Sequence, residues 1–301
     1  MADQTVEVEG RRLKLSNLDK VLYPGTGFTK GEVLDYYVRV APVLLAHLGD
    51  RGLTFRRAPD GVDGQIFFTK RCPDWAPDWI ETARSSEGAS EPIDYCVLGD
   101  VASLTWAANL AALELHAPLS RFDDPDTPTM VVFDLDPGEP AAMTECCAVA
   151  LLLRESLGPL GLELFAKTSG NKGLQVYLPL NSEPGLELGF AQTSAFAHTV
   201  ADLLAKHHPK LVVARMTKSI RPDRVFIDWS QNSRHKTTIG AYSLRIRPNH
   251  TVSTPVTWEE VEAAAGGVPL TFEAAEVLKR IESHGDLFEK AATLTQQLPG
   301  H

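Results

Sequence analysis

The chain has 301 residues, 44% of them apolar and 23% charged, a composition typical of a globular protein with a sizeable core in one large or two small domains. Taken globally, its formal net charge of −10 argues against a nucleic-acid binder. No apolar run approaches the roughly 18 residues of a membrane span, and the N-terminus lacks a signal-peptide segment, so we expect a cytoplasmic protein with no membrane partner.

The N-terminal third predicts two helices separated by two strands. Thr29 and Glu32 have the spacing of a capping box, and apolar residues recur behind them at helical spacing, which predicts a helix over 29–50. Short β-prone runs predict strands at 53–57 and 65–70. The apolar stretch 101–118 predicts a helix that ends at Pro118.

Two aspartates end one of the most apolar runs of the chain, "TMVVFDLDPG". The run around Val131 predicts a buried strand, and because side chains alternate along a strand, Asp134 and Asp136 share a face. Carboxylates this close repel each other unless a proton or cation lies between them, and such a site suits Mg²⁺ or Mn²⁺. A turn at the end of the strand explains the same residues equally well, since Asp-Pro-Gly is common turn chemistry.

The remaining chain continues to mix helices, strands and tight turns, which indicates a mixed α/β fold. Helices are predicted at 140–157, 185–208 and 271–293. Extended segments are predicted on either side of a Gly-rich turn within 162–180, at 224–231 and at 240–248. Thr257 and Glu260 form a second capping box.

A second strand, "RVFIDWSQ", also ends in an acid, Asp228. If it neighbours the first acidic strand, Asp134, Asp136 and Asp228 converge. Three carboxylates can hold the two divalent ions used in phosphoryl transfer.

The turn "TSGNKG" offers Ser169, Lys172 and two glycines, whose backbone N–H groups can approach an anion closely. Beside a carboxylate cluster it predicts a triphosphate site, although a simple hairpin turn accounts for it as well. Arg221, Gln231 and Arg245 could supply further donors to phosphate.

Basic residues are concentrated in two segments. Residues 215–247 contain eight Lys or Arg against two Asp, and a smaller cluster lies in 51–71. This segregation favours a basic face on an acidic body, and solvated surface charge is the alternative.

The four cysteines are Cys72, Cys96, Cys146 and Cys147. They lack C-x-x-C spacing, so neither a zinc site nor a disulfide framework is suggested, and a reducing compartment fits.

Several long motifs together resemble one known family. "VVFDLDPG", "TSGNKGLQVYLPL" and "VFIDWSQNSRHKTTIGAYSLR" are similar to the polymerase domain of bacterial ligase D, an archaeo-eukaryotic primase-type polymerase of non-homologous end joining. "LSNLDKVLYPGTGFTKGEVLDYY" and "GVDGQIFFTK" are similar as well, so the likeness runs from about residue 13 to 290. No ligase or nuclease segment is present, and we expect a stand-alone relative or an excised domain.

The resemblance implies one primase-polymerase-like domain over 1–301. Its expected fold is α+β, a mixed α/β arrangement with an archaeo-eukaryotic primase-like core in which helices flank a central, mainly antiparallel sheet. The implied activity is nucleotidyl transfer to DNA 3′ ends, with ribonucleotides preferred, to fill gaps during double-strand-break end joining. Gap filling in excision repair and a DNA-end-binding module with little catalysis are the alternatives.

The resemblance also implies roles for individual residues. Asp134, Asp136 and Asp228 match the metal-binding, catalytic carboxylates, which would hold two Mn²⁺ or Mg²⁺ ions. The positions that match nucleotide contacts are His116, Ser169, Lys172, Arg221, Gln231 and Arg245. Without the family match, His116 would be taken for a packed histidine at a helix end.

The expected DNA contacts lie nearer the N-terminus. Asn17, Lys20 and Lys30 match a pocket for a DNA 5′-phosphate, and a capping-box-like spacing of Ser16 and Asp19 places the first two on a short helix. Solvated lysines are the alternative. Phe67 and Phe68 match aromatic residues that stack on bases, although alternation would turn one of them into the core.

The implied partners are DNA with a 3′ overhang or gap and a 5′-phosphate, together with NTP or dNTP. An end-binding Ku-type protein and a DNA ligase are further expected partners, in the nucleoid of a bacterial cytoplasm. Two departures from the family pattern are notable. Gln175 replaces a usual histidine, which affects triphosphate affinity or its pH dependence, and Ala241 replaces a usual proline.

The strongest competing interpretation is a haloacid-dehalogenase-type phosphatase, whose first motif is also an apolar strand that ends in D-x-D. That motif normally continues with Gly-Thr and opens its domain. Here Pro137 follows, and 133 residues precede Asp134.

Overall fold

The computed structural model describes residues 4–85, 92–181 and 188–299. Within them the helices are α1 (Lys30–Leu48), α2 (Val101–Asn109), α3 (Met143–Leu157), α4 (Phe190–His207), α5 (Trp258–Ala265), α6 (Ala274–His284) and α7 (Glu289–Thr293). The strands are β1 (Gln4–Val8), β2 (Arg11–Leu15), β3 (Val21–Tyr23), β4 (Phe28–Thr29), β5 (Thr54–Arg57), β6 (Phe67–Thr69), β7 (Thr82–Ser85), β8 (Ile93–Cys96), β9 (Ala112–Ala117), β10 (Met130–Pro137), β11 (Phe165–Thr168), β12 (Leu174–Pro179), β13 (Val212–Val213), β14 (Val225–Asp228), β15 (Thr238–Ile239) and β16 (Pro255–Val256).

The chain divides into two compact units. The first comprises Met1–Pro118, Thr237–Ser253 and Phe272–Asp286, and the second comprises Leu119–Lys236, Thr254–Thr271 and Leu287–His301. The single domain expected over 1–301 stays a prediction.

A four-stranded antiparallel sheet, in the order β15-β9-β5-β6, forms the centre of the first unit. Helix α1 begins at its predicted capping box, in which the Thr29 hydroxyl accepts from the Glu32 N–H and the Glu32 carboxylate accepts from the Thr29 N–H. The helix buries an apolar face that includes Val33, Tyr37 and Leu44. The burial of this face explains why the helical periodicity of the sequence was predictive here.

The predicted helix over 101–118 is wrong in its second half. Helix α2 ends at Asn109, Ala111 adopts a left-handed φ of 55°, and the chain then returns as strand β9. Strand β9 pairs with β5, with Leu115 opposite Phe55. The predicted helix followed the apolar content of the whole stretch and missed the short alternation of Leu113 and Leu115 with Glu114 and His116. Pairing with β5 decided in favour of a strand.

The second unit contains a six-stranded sheet in the order β13-β14-β10-β12-β11-β16. All its pairs are antiparallel except β13–β14. Helix α3 packs against β10 and β12, and α4 packs against β10 and β13. The mixed α/β class and a mainly antiparallel sheet flanked by helices are therefore confirmed.

The C-terminal elements are shorter than predicted. The tail is divided into α6 and α7, and the segment 240–248 contributes an isolated bridge between Leu244 and Val252 rather than a strand. Helix α4 begins at Phe190, and residues 185–187 of the longer predicted helix lie outside the described part of the chain.

The expectation about cysteines needs a correction, because Cys72 and Cys96 form a disulfide. Their separation of 24 residues gave no signal, and the bond depends on a tertiary contact in which the Cys72 N–H donates to the Asp94 carbonyl beside Cys96. Cys146 and Cys147 are buried free thiols, as expected from their apolar surroundings. No helix in the described residues has both the length and the apolar character needed to cross a membrane.

Candidate active site

The two acidic strands are neighbours in the sheet of the second unit. In the antiparallel pair β10–β14, Asp134 lies directly opposite Asp228, and Asp136 lies opposite Phe226. Residues opposite each other, and residues two apart on one strand, share a face, so all three carboxylates lie on one face of the sheet. A three-carboxylate site required this pairing, which the sequence alone could not establish.

Burial and mutual repulsion raise the pKa values of two of these carboxyl groups. Burial, followed by the nearby charge of Asp136, raises the pKa of Asp134 to about 7, and hydrogen bonding from Gln175 only partly opposes this. Burial and the charge of Asp228 raise the pKa of Asp136, while the Arg221 guanidinium lowers it. Carboxyl groups with raised pKa values are unstable in their ionised form, and a bound cation would stabilise that form.

Neighbouring donors occupy part of this cluster in the structure. The Gln175 amide donates to Asp134 Oδ1 at 3.0 Å, and the Gln231 amide donates to Asp228 Oδ2 at 2.8 Å. The Ser230 hydroxyl donates to Asp228 Oδ1 and accepts from the Lys236 ammonium. Ser230 and Lys236 were not predicted, since their connection to Asp228 depends on the 3₁₀ turn Trp229–Gln231 that follows β14.

As these side chains stand, no group of three or more His, Cys, Asp or Glu within the described ranges has the spacing of a metal centre. The donor set nevertheless fits a hard divalent cation, since it consists of carboxylate oxygens on one face and two of the groups have raised pKa values. A cation would bind the carboxylate lone pairs that these amide and hydroxyl donors leave open, since each carboxylate oxygen has two.

The Gly-rich turn joins β11 to β12, which flanks β10 in the sheet. The Ser169 hydroxyl accepts from the N–H groups of Asn171 and Gly173, so it closes its own turn. The backbone at Gly173 lies so close to β10 that a Cβ there would overlap the Leu135 carbonyl oxygen. Only glycine fits this position without a shift of the backbone. The turn therefore lies next to the strand that carries Asp134.

Lys172 projects from this turn with 62% of its side chain exposed, and its Nζ pairs with Glu139 at 2.5 Å. This pairing lowers the pKa of Glu139. Arg221 lies with its guanidinium 3.7 Å from the centre of the Phe226 ring and donates to the Met216 carbonyl. Four of the predicted nucleotide contacts thus lie in the same unit as the carboxylates: Ser169, Lys172, Arg221 and Gln231.

A second charged cluster lies in the first unit around Glu114, a residue that was not predicted from the sequence. Its Oε2 accepts from Arg56 and from His116, both at 2.8 Å, and its Oε1 accepts from the Ile246 N–H and lies 3.3 Å from Arg245. Burial alone would raise the pKa of Glu114, but the bond from His116 and the charge of Arg245 lower it to about 2. Burial lowers the pKa of His116.

Glu114 therefore holds together two predicted nucleotide contacts, His116 and Arg245. Glu114 and His116 are two residues apart on β9, so a correct strand assignment would have placed them on one face and revealed the cluster. His116 lies on a strand and not at a helix end, which corrects the alternative considered from the sequence.

The three residues predicted to bind a DNA 5′-phosphate lie together in the first unit. The Lys30 N–H donates to the Lys20 carbonyl, and the Lys20 N–H donates to the Asn17 carbonyl. The short helix expected at Ser16 is wrong, because Asn17 adopts a φ of 54° in a turn between β2 and β3.

The two lysines of this group differ in their environment. Lys20 is exposed and pairs with Asp60 at 2.7 Å. Lys30 is buried, and its ammonium donates to the Ser16 carbonyl at 2.7 Å. Lys30 therefore supports the turn that contains Asn17, whereas Lys20 lies exposed in an ion pair with Asp60.

Phe67 and Phe68 lie on β6, an edge strand of the four-stranded sheet. They are 40% and 60% exposed. The expectation that one of them belongs to the core is wrong, because both side chains are exposed although they lie on opposite faces of the strand. Both rings are available for stacking.

Comparison with known proteins identifies the family. A family model described as LigD, primase-polymerase domain, matches residues 29–288. The multifunctional non-homologous end joining protein LigD of Mycolicibacterium smegmatis is 45% identical over 278 residues, which are 92% of this chain and 35% of that protein. The bifunctional non-homologous end joining protein LigD of Bacillus subtilis is 31% identical over 274 residues, which are 91% of this chain and 43% of that protein.

The chain thus spans less than half the length of these curated relatives. A solved structure, the polymerase domain from Mycobacterium tuberculosis Ligase D in complex with DNA, matches with a TM-score of 0.87 and 40% identity and covers 95% of this chain and 99% of that one. The phosphatase interpretation is excluded by these matches. Because the family model spans most of its length, the chain belongs to the LigD primase-polymerase domain family and is a nucleotidyltransferase of the polymerase type.

Proposed function

We propose that the chain adds nucleotides, ribonucleotides by preference, to DNA 3′ ends and fills gaps while double-strand breaks are joined. The observation that carries this proposal is the position of Asp134 opposite Asp228, with Asp136 on the same face, in a member of a polymerase family. The names of the relatives as end-joining proteins support the pathway.

Asp134, Asp136 and Asp228 would hold two divalent cations, Mn²⁺ or Mg²⁺. When bound, such ions neutralise charge on the attacking and leaving oxygens of nucleotidyl transfer. The chain itself supplies the ligands on a rigid sheet, so that little reorganisation is needed at the moment of reaction. Arg221 beside Asp136 adds a fixed positive charge to the same region.

We assign contacts with the incoming triphosphate to Ser169, Lys172, Arg221 and Gln231 in the second unit. The nucleotide-binding role of His116 and Arg245, which lie in the first unit, stays a prediction from the resemblance. Lys172 is exposed and can exchange Glu139 for a phosphate, since exposed ion pairs are weak. Arg245 is held beside Glu114, which fixes the direction of its guanidinium. Guanidinium and ammonium groups are suited to phosphate oxygens.

We assign DNA to the first unit. Asn17, Lys20 and Lys30 would receive a 5′-phosphate, and Phe67 and Phe68 would stack on bases, as exposed aromatic rings do in nucleic-acid sites. The similar M. tuberculosis polymerase domain was solved in complex with DNA, which supports this assignment. An end-binding Ku-type protein and a DNA ligase are the partners that end joining requires, and the bacterial nucleoid is the place where they meet.

The test is nucleotide incorporation by the full chain with Mn²⁺ on three DNAs: two ends with 3′ overhangs, a short gap in an intact duplex, and an unprimed strand. Each is offered with NTP or dNTP and with a 5′-phosphate or 5′-hydroxyl. We expect incorporation at paired overhangs with NTP favoured and the 5′-phosphate stimulating. Incorporation restricted to the gap would favour excision repair, and binding without incorporation would leave an end-binding module.

A further inference from the structure

A row of four polar side chains crosses the six-stranded sheet. Lys167 on β11 is opposite Gln175 on β12, Gln175 is opposite Asp134 on β10, and Asp134 is opposite Asp228 on β14. Strand partners share a face, so the row runs from an ammonium through an amide to two carboxylates. Lys167 is 1% exposed and Gln175 is 4% exposed, so the basic end of the row is inside the protein.

Lys167 determines which way the Gln175 amide points. The Lys167 ammonium has donors only, and its Nζ lies 2.5 Å from Gln175 Oε1. The Tyr177 hydroxyl donates to the same oxygen at 3.1 Å. Since an amide has its oxygen at one side and its NH₂ at the other, these contacts turn the NH₂ towards Asp134, where Nε2 lies 3.0 Å from Oδ1.

This orientation restrains the Asp134 carboxylate by one of its oxygens. If the amide were reversed, its oxygen would face a carboxylate oxygen, and two acceptors cannot bond to each other. The rotation of the Asp134 carboxylate thus depends on Lys167, which lies two strands away in the sheet. We propose that Lys167 is a positioning residue for the divalent cation, because it fixes the Gln175 amide, which in turn orients the Asp134 carboxylate.

The inference rests on the proposed function only in assigning Asp134 to a divalent cation. When Asp134 is ionised, as in alkaline buffer, a purely electrostatic role for Lys167 makes the opposite prediction. Removal of a positive charge near the carboxylates would reduce its repulsion of a cation and strengthen binding. Loss of positioning would weaken binding, so the sign of the effect separates the two roles.

The experiment measures Mn²⁺ binding by electron paramagnetic resonance of the free ion, with the full chain in mildly alkaline buffer and without DNA or nucleotide. We expect Lys167→Met, which keeps the buried stem and removes the donor, to weaken Mn²⁺ binding by roughly tenfold, the size of one charge-assisted hydrogen bond. Unchanged or tighter binding would overturn the inference. A wild-type chain that takes up no Mn²⁺ would overturn it too.

Two further variants show whether Lys167 acts through Gln175. Tyr177→Phe removes one donor from Gln175 Oε1 and leaves Lys167, so Mn²⁺ affinity should stay within about twofold of the wild type. Gln175→Met should weaken binding as much as Lys167→Met, and the double variant should add nothing more. Additive losses in the double variant would contradict a shared path.

Circular dichroism and thermal unfolding verify that each variant is folded. If Lys167→Met alone does not fold, the double variant, which removes the Lys167 ammonium together with the amide that it contacts, is compared with Gln175→Met. We expect the double variant and Gln175→Met to have equal Mn²⁺ affinity. Tighter binding by the double variant would reveal an effect of the Lys167 charge and overturn the inference. Should the wild type fail to incorporate nucleotides while Lys167→Met still loses Mn²⁺ affinity, the proposed function falls and this inference stands.

Discussion

Asp134 and Asp228 lie directly opposite each other across the antiparallel pair of β10 and β14. Two carboxylates in this position destabilise each other. Burial raises the pKa of Asp134, and the charges of Asp136 and, to a smaller extent, Asp228 raise it further. A sheet keeps such a pair only where something else stabilises it, and a divalent cation is the group that this donor set fits.

Replacement of the carboxylates should abolish catalysis without abolishing DNA binding. Asp134→Asn or Asp136→Asn should lower the rate of nucleotide incorporation by about a hundredfold or more, since charge on the reacting oxygens would no longer be neutralised. The measurement is single-nucleotide extension of a primed DNA, with affinity for the same DNA measured in parallel. Asp202→Asn, an exposed aspartate on α4, is the matched control. A rate within about tenfold of the wild type would remove these residues from the site.

The stability of the metal-free chain should fall as the pH rises. The folded-state pKa of Asp134 is raised from its ordinary value to about 7, so between these limits the folded chain holds a proton that the unfolded chain has released. The free energy of unfolding then decreases through this window, and the loss is complete above the folded-state pKa. Thermal unfolding in EDTA should show a lower Tm in mildly alkaline than in mildly acidic buffer.

Two controls isolate Asp134 in that experiment. Asp134→Asn should lose this part of the pH dependence, because an amide does not titrate. Added Mn²⁺ should raise the Tm of the wild type more in the alkaline buffer, where it does not compete with the proton. An identical pH profile for wild type and Asp134→Asn would show that other groups cause the change.

Lys172 and Glu139 should act on nucleotide binding in opposite directions. Lys172→Ala should raise the KM for nucleotide roughly fivefold to tenfold with little change in kcat, because a phosphate contact formed before the chemical step is lost. Glu139→Gln should lower KM by at most about fivefold, since it frees Lys172 from an exposed ion pair. Steady-state incorporation kinetics give both values. If Glu139→Gln raised KM, Lys172 would have some other role.

Removal of the Glu114 charge should destabilise the first unit. Glu114→Gln leaves Arg56 and Arg245 beside a neutral group in a buried site, so the free energy of unfolding should fall by about 3–5 kcal/mol. The folded-state pKa of Glu114 is lowered to about 2, so its stabilisation is complete above the ordinary pKa of a glutamate and is lost as the pH falls towards 2.

Urea unfolding at several pH values measures this effect. The difference in stability between wild type and Glu114→Gln should be constant near neutral pH and shrink in acid. A difference that stayed constant down to the most acidic pH would show that Glu114 acts through shape and not through charge.

Lys20 should be responsible for recognition of a downstream 5′-phosphate. The wild type should bind gapped DNA with a 5′-phosphate roughly tenfold more tightly than the same DNA with a 5′-hydroxyl. Lys20→Ala should erase this preference and leave affinity for the hydroxyl form unchanged. Lys279→Ala, which removes an exposed charge from α6, is the control for net charge. Equal binding of both DNAs by the wild type would eliminate the 5′-phosphate site.

The sequence by itself determined the elements whose signals are local. The capping boxes at Thr29 and Thr257 mark the starts of α1 and α5, and the apolar run before Asp134 is a buried strand. The family was also evident from the sequence, since its motifs are long and occur in order, and the family match confirms it. Local hydrogen bonds and alternation are properties of neighbouring residues, so a sequence carries them directly.

Only the tertiary structure decided which residues meet. Strand register placed Asp228 against Asp134 and completed the row that ends at Lys167, a residue without a sequence signal. Pairing with β5 made a strand of the residues around His116, where the apolar pattern had predicted a helix. Strand register and the choice between helix and strand depend on interactions with residues distant in the chain, and no local sequence pattern contains these interactions.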